Sequence, residues 1–155
     1  MRKLYVLNAR RPRRHEIQAL LLGGLLITGC AGSAELVTSI APDQAGVTWF
    51  ECGGGGVWPK GCEASVVWGD YEKGPSGWFV RAPAGYLFPR HEHTSEERIL
   101  VMRGRITGAV DGTKETMVTP GMYWAFGGKA VHWARCEDAC LMYITYDKPF
   151  DLTFR

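Results

Sequence analysis

Histidine is scarce in this sequence, with four among 155 residues. Beyond the N-terminal segment no apolar period of 3.6 residues persists for about ten residues, so long helices are not expected. No basic stripe exists either. Six of the eighteen Lys and Arg (Arg2, Lys3, Arg10, Arg11, Arg13, Arg14) precede Cys30, where Glu16 is the only acid. The rest of the chain carries twelve basic against fifteen acidic residues, a mildly acidic balance that argues against a nucleic-acid partner. Paired cysteines at C-x-x-C spacing are absent, which weakens a structural zinc site.

Apolar material is plentiful: 46% of residues are hydrophobic and six are tryptophan. Twenty glycines and eight prolines punctuate short β-rich runs. Val47–Glu51, Ala64–Trp68, Trp78–Arg81, Arg98–Met102, Glu115–Thr119, Met122–Phe126, Val131–Ala134 and Leu141–Tyr146 read as strands. Pro83-Ala84-Gly85, Asp111-Gly112, Pro120-Gly121 and Gly127-Gly128 read as turns between them. The expectation is an all-β domain of about ten short strands, a sandwich or barrel.

The N-terminus reads as an address. A basic segment leads into twelve apolar residues, Ile17 to Thr28, which suit a secretory signal and are too short to span a bilayer. Ile27-Thr28-Gly29-Cys30 resembles the bacterial lipoprotein box. That resemblance implies lipidation of Cys30, with residues 1–29 removed as a signal peptide. Ala31 after the cysteine implies outer-membrane placement facing the periplasm. The alternatives are a plainly secreted chain or a mistaken start site. Residues 30–46 then form a tether and 47–155 the folded domain.

Four further cysteines, Cys52, Cys62, Cys136 and Cys140, fit disulfides in an oxidising compartment, where three connectivities exist. Local pairing is simplest. Cys52 and Cys62 bracket a glycine run, and Cys136 and Cys140 flank what reads as a hairpin tip. A redox-active second pair is the alternative, with Arg135 the only nearby base to lower a thiol pKa.

With His15 inside the signal segment, every other histidine enters one argument. His91 and His93 are two apart and share one face of a strand. Thr94-Ser95-Glu96 reads as a turn, and a returning strand in a hairpin is expected to bring Glu97 beside them. His132 is available downstream. Three imidazoles and a carboxylate converging on one point make a transition-metal site.

These residues also resemble the cupin family. Gly85, His91, His93, Glu97 and Gly104 satisfy the first cupin motif in full. Gly121 and His132 fit the second, while its Pro, Gly and Asn positions hold Gly127, Lys129 and Cys136. The resemblance covers roughly Trp68 to Asp151 and implies a jelly-roll β-barrel. It also implies one divalent transition metal (Fe, Mn, Ni, Cu or Zn) on His91, His93, Glu97 and His132, with Glu97 as ligand or general base. Cupins that keep all four ligands include dioxygenases and oxalate-handling enzymes, so a dioxygenase-like oxidoreductase acting on a small molecule is expected. A non-catalytic module binding a small ligand or metal, as sensor or scavenger, is the alternative. Trp78, Tyr123 and Met142 are candidate pocket residues. Arg81 is a candidate attractant for an anionic substrate, and Arg90 is out of phase with His91. Membrane contact is expected through the lipid anchor only, and pairing into a homodimer is left open.

Overall fold

The computed structural model describes residues 40–44, 46–52 and 58–155. The expected signal segment, Cys30 and most of the expected tether lie outside them. All regular elements among the described residues are strands: β1 (Phe50–Glu51), β2 (Glu63–Gly69), β3 (Ser76–Ala82), β4 (Leu87–Glu92), β5 (Glu97–Arg103), β6 (Ile106–Val110), β7 (Thr116–Val118), β8 (Tyr123–Phe126), β9 (His132–Cys136), β10 (Cys140–Tyr146) and β11 (Thr153–Phe154). They form two antiparallel sheets, β1-β2-β3-β10-β5-β8 and β11-β4-β9-β6-β7. This is the all-β, jelly-roll arrangement expected. The two-residue strand β11 escaped notice because a pair of residues carries no alternation to read.

Sheet membership corrects two details. β4 and β5 are not a hairpin: β4 pairs with β9 and β11, whereas β5 pairs with β10 and β8. Turn 93–96 is therefore a corner between sheets, and Glu97 faces His91 from the opposite sheet. In the same way β9 and β10 lie in different sheets, so the Cys136–Cys140 disulfide spans a corner rather than a hairpin. Both locally paired disulfides are present, with Cα–Cα separations of 5.3 Å for Cys52–Cys62 and 5.7 Å for Cys136–Cys140.

Alternation along each strand sends one set of side chains between the sheets. Trp78, Val80, Ile99, Val101, Met142, Ile144 and Tyr146 come from the larger sheet, and Phe88, Ile106, Val118 and Ala134 from the smaller. One end of the sandwich is packed solid, with Val101, Ile106, Val118 and Cys136 almost without exposure. The pairs Ile106↔Cys136 and Val110↔His132 mark the two ends of the β6–β9 ladder, about 13 Å apart at strand rise. The histidines therefore sit at the end away from the second disulfide.

Repeated crossing between sheets explains the motif glycines. Gly85 (β3 to β4), Gly104 (β5 to β6) and Gly121 (β7 to β8) all have positive φ, between 78° and 85°, at sharp corners. At Gly104 a Cβ would also come within 2.5 Å of the Ala139 carbonyl oxygen. The corner from β8 to β9 has the same geometry without the glycine: Lys129 is the one described non-glycine residue at positive φ, +66°. It occupies the position where the cupin pattern has glycine.

Left-handed backbone costs about 1–2 kcal/mol for a residue with a Cβ, against about 0.5–1 kcal/mol of extra unfolded-state entropy for glycine. Lys129→Gly is therefore expected to raise stability by about 0.5–1 kcal/mol in urea unfolding. A loss of stability would show that the lysine side chain holds the corner.

Candidate metal centre

His91 lies near the end of β4, His93 just beyond it, Glu97 opens β5 and His132 opens β9. His91 and His132 are direct partners across the β4–β9 ladder, with ring centroids 4.2 Å apart. Glu97 reaches across from the other sheet, where its ladder partners are Phe126 and Tyr146. One potential ligand atom from each of the four residues lies within 4.8 Å of the others, and all four residues are buried.

Each imidazole is oriented by main chain. Nδ1 of His91 lies 2.6 Å from the Pro89 carbonyl oxygen, and Nδ1 of His132 2.8 Å from that of Ala130. Nδ1 of His93 contacts the Asp151 carbonyl oxygen. A carbonyl only accepts, so each Nδ1 carries the proton and each neutral ring turns a bare Nε2 lone pair inward. The Tyr146 hydroxyl donates to Glu97 Oε1 at 3.0 Å, which leaves Oε2 facing the imidazoles. Oε2 stands 3.0 Å from His132 Nε2 and 3.7 Å from His93 Nε2. Yet neither it nor His93 Nε2 has an aligned hydrogen-bond partner. Buried polar atoms are rarely left so, and four acceptors aimed at one point suit a cation. Back-bonded Nδ1 with free Nε2 is also how metal-ligating histidines are usually held.

The electrostatics follow from burial and proximity. Burial, reinforced by neighbouring His132, pushes the His91 pKa down to about 4. Burial pushes that of Glu97 up, but contact with His132 and the fields of the three imidazoles outweigh it and hold the carboxyl low. For His132, burial disfavours the charge while the Glu97 carboxylate raises the pKa overall. Burial and the Glu97 charge drive Tyr146 well above its ordinary value, so it remains a phenol that donates.

Beside the four residues lies a cavity of about 390 Å³. Trp78 and Met142 line it as expected, but Tyr123 does not. On β8 the residue buried beside the site is Phe126, three positions on and therefore on the other face, and Tyr123 is 61% exposed. Arg81 also points away, bonded to Glu63 and lying over Trp49. Arg90 faces outward and pairs with Asp111, as its phase implies.

Several site residues were missed by sequence reasoning. Trp58 packs edge-on to His91, Phe126 stacks on His132 at 4.2 Å, and Phe150 packs against His93. Asp147 accepts from Ser95 Oγ and from the Glu96 amide, pinning the metal-loop corner. Tyr146 had a signal available, because it shares parity with Met142 on β10. The other four come from loops or distant strands and carried none.

The ChrR cupin-like domain profile matches residues 40–151. The chain belongs to this family. No curated protein matches it. Among solved structures the fold is similar to DMSP lyase DddQ from Ruegeria pomeroyi DSS-3, with TM-score 0.60, 16% identity, and 70% of this chain and 60% of that one covered. It is similar to an RmlC-like cupin from Shewanella frigidimarina NCIMB 400, with TM-score 0.56, 17% identity and coverage of 67% and 85%. A third is a salicylate 1,2-dioxygenase variant from Pseudoaminobacter salicylatoxidans in complex with gentisate, with TM-score 0.55, 15% identity and coverage of 61% and 29%. This chain thus spans less than two thirds of the lyase and of the dioxygenase. These likenesses concern fold. For a cupin of this family, a buried group of three histidines and one glutamate suited to metal binding is in place.

Two measurements test the geometry. Tyr146→Phe frees Glu97 Oε1 and is expected to weaken metal affinity by about tenfold with the fold retained. Unchanged affinity would mean the hydroxyl does not position the carboxylate. In metal-free protein the unfolded chain protonates His91 from about pH 6.5 downward, while the folded chain resists until about pH 4. Stability present above pH 6.5 is therefore lost as pH falls through that window, by about 3 kcal/mol. His91→Gln should flatten this acid limb in urea titrations, and an unchanged limb would assign it elsewhere.

Proposed function

We propose that the domain holds one divalent transition metal on His91, His93, Glu97 and His132, and catalyses a dioxygenase-like reaction on a small molecule in the adjoining cavity. The observation that carries this reading is the set of four buried acceptor atoms turned to one point, each ligand residue fixed from behind. Such an ion, when bound, supplies Lewis acidity and redox capacity towards a small molecule and oxygen. The chain's own residues do the rest. Trp58, Phe126 and Phe150 wall the imidazoles and exclude water, while Tyr146 fixes one oxygen of Glu97. That leaves Oε2 to act as ligand or, when released, to accept a proton from the small molecule. The chain as a whole reads as a lipid-anchored envelope protein, supported by the order of basic segment, apolar segment and Ile27-Thr28-Gly29-Cys30.

One observation favours a second reading, a non-catalytic binding module. Apart from the four ligand residues, the described cavity wall offers no acid or base other than the phenols of Tyr71 and Tyr146.

Elemental analysis of the full chain, purified without chelators, is expected to find about one equivalent of transition metal, lost in His91→Ala and His132→Ala. Equal metal in variants and wild type would sink the assignment. Oxygen uptake with candidate small molecules then separates enzyme from binding module.

A further inference from the structure

The cavity wall limits what the site can accept, and this inference rests on the metal reading just given. Among the described lining residues there is no lysine, arginine, asparagine, glutamine, serine or threonine. Phe50, Phe88, Ile144 and Leu152 give a ligand nothing to hydrogen-bond, the Trp78 indole N–H already donates to Ser76, and the Trp58 indole adds a donor but no charge. Of the two phenols, Tyr146 is already committed to Glu97, and Tyr71 is 37% exposed. Any polar group of a ligand must therefore be satisfied almost entirely at the metal end, because an unpaired one is costly in such surroundings.

Charge narrows the class further. A divalent ion held by three neutral imidazoles and one carboxylate leaves one unit of positive charge in a buried, apolar setting. A monoanion cancels it. A dianion overshoots, and no cationic side chain in the described wall compensates. We infer that the cavity binds a monoanionic chelating molecule with an apolar body, such as an aromatic hydroxamate, carboxylate or phenolate. Dianions and polyhydroxylated molecules are selected against. The cavity, about 390 Å³, lies within the range of small-molecule sites and suits a single-ring body.

The test loads the full chain with Co(II) and follows ligand binding by Co(II) absorption and by quenching of tryptophan fluorescence. Benzohydroxamate carries head and body, acetohydroxamate the head alone, and oxalate two charges without a body. Benzohydroxamate is expected to bind at least about tenfold more tightly than either of the others, because only its ring is removed from water. A second variant checks the charge argument. Phe50 lines the cavity yet is 41% exposed, so Phe50→Lys can place a cation at the wall without burying it fully. Oxalate should gain severalfold on benzohydroxamate in that variant. If Co(II) is taken up but oxalate or acetohydroxamate binds as tightly as benzohydroxamate, the ligand class is overturned and the metal site stands. If elemental analysis finds no Co(II) taken up, the metal reading falls and this inference falls with it.

Discussion

A buried carboxylate facing three imidazole nitrogens is the constraint on which the rest of the site depends. Each imidazole could relieve its position by turning, but its Nδ1 proton is held by a carbonyl from Pro89, Asp151 or Ala130. Glu97 could turn too, but Tyr146 holds Oε1. The acceptors are thus fixed in mutual opposition, and without a positive charge among them the arrangement is unfavourable. The metal-free protein can meet part of that demand with a proton between His132 and Glu97, consistent with the opposite shifts of the two groups. A metal ion meets all of it at once.

Much of this was legible in the sequence, for a definite reason. Strand alternation and turn dipeptides are local, so most of the strands and the shared face of His91 and His93 could be read directly. Scarcity helped as well, because with so few histidines each one counted. Sheet assignment was not legible. A turn such as Thr94-Ser95-Glu96 has the same composition whether it closes a hairpin or crosses between sheets. Only the ladders show that Glu97 belongs with β10 and β8. The hairpin was the wrong route to the right neighbour, since a corner also brings the two ends of a turn together. Tyr123 failed differently. Three positions before Phe126 on β8, it takes the opposite phase and faces away from the cavity.

The aromatic shell was hidden because it is assembled from distant segments. Trp58 follows the first disulfide loop's glycine run, Phe126 ends β8, and Phe150 lies in the last connection, yet all three touch a histidine ring. Their arrangement gives the histidine cluster an apolar, low-dielectric wall on several sides, which strengthens electrostatic interactions within it. It also leaves the ligand residues with almost all the polarity in the cavity. Under the proposed metal reading, coordination and ligand selection become parts of one problem, because the described wall offers a charged group no other charged partner.

The drift in the second motif can now be placed physically. His132 is the first residue of β9 and pairs with His91 on one side and Val110 on the other. Its ring is tied to the carbonyl of Ala130, two residues before it. Ladder and local bond together fix the ligand, so the preceding loop has only to deliver the chain through a left-handed corner. Lys129 does so at some cost, helped by its amide bonding to the His93 carbonyl at 2.7 Å. Cys136, at the motif's Asn position, stands at the far end of β9, where its disulfide to Cys140 closes the corner into β10. The sheet and the Ala130 bond hold His132 directly, so its position does not depend on the motif's proline and glycine in the preceding loop.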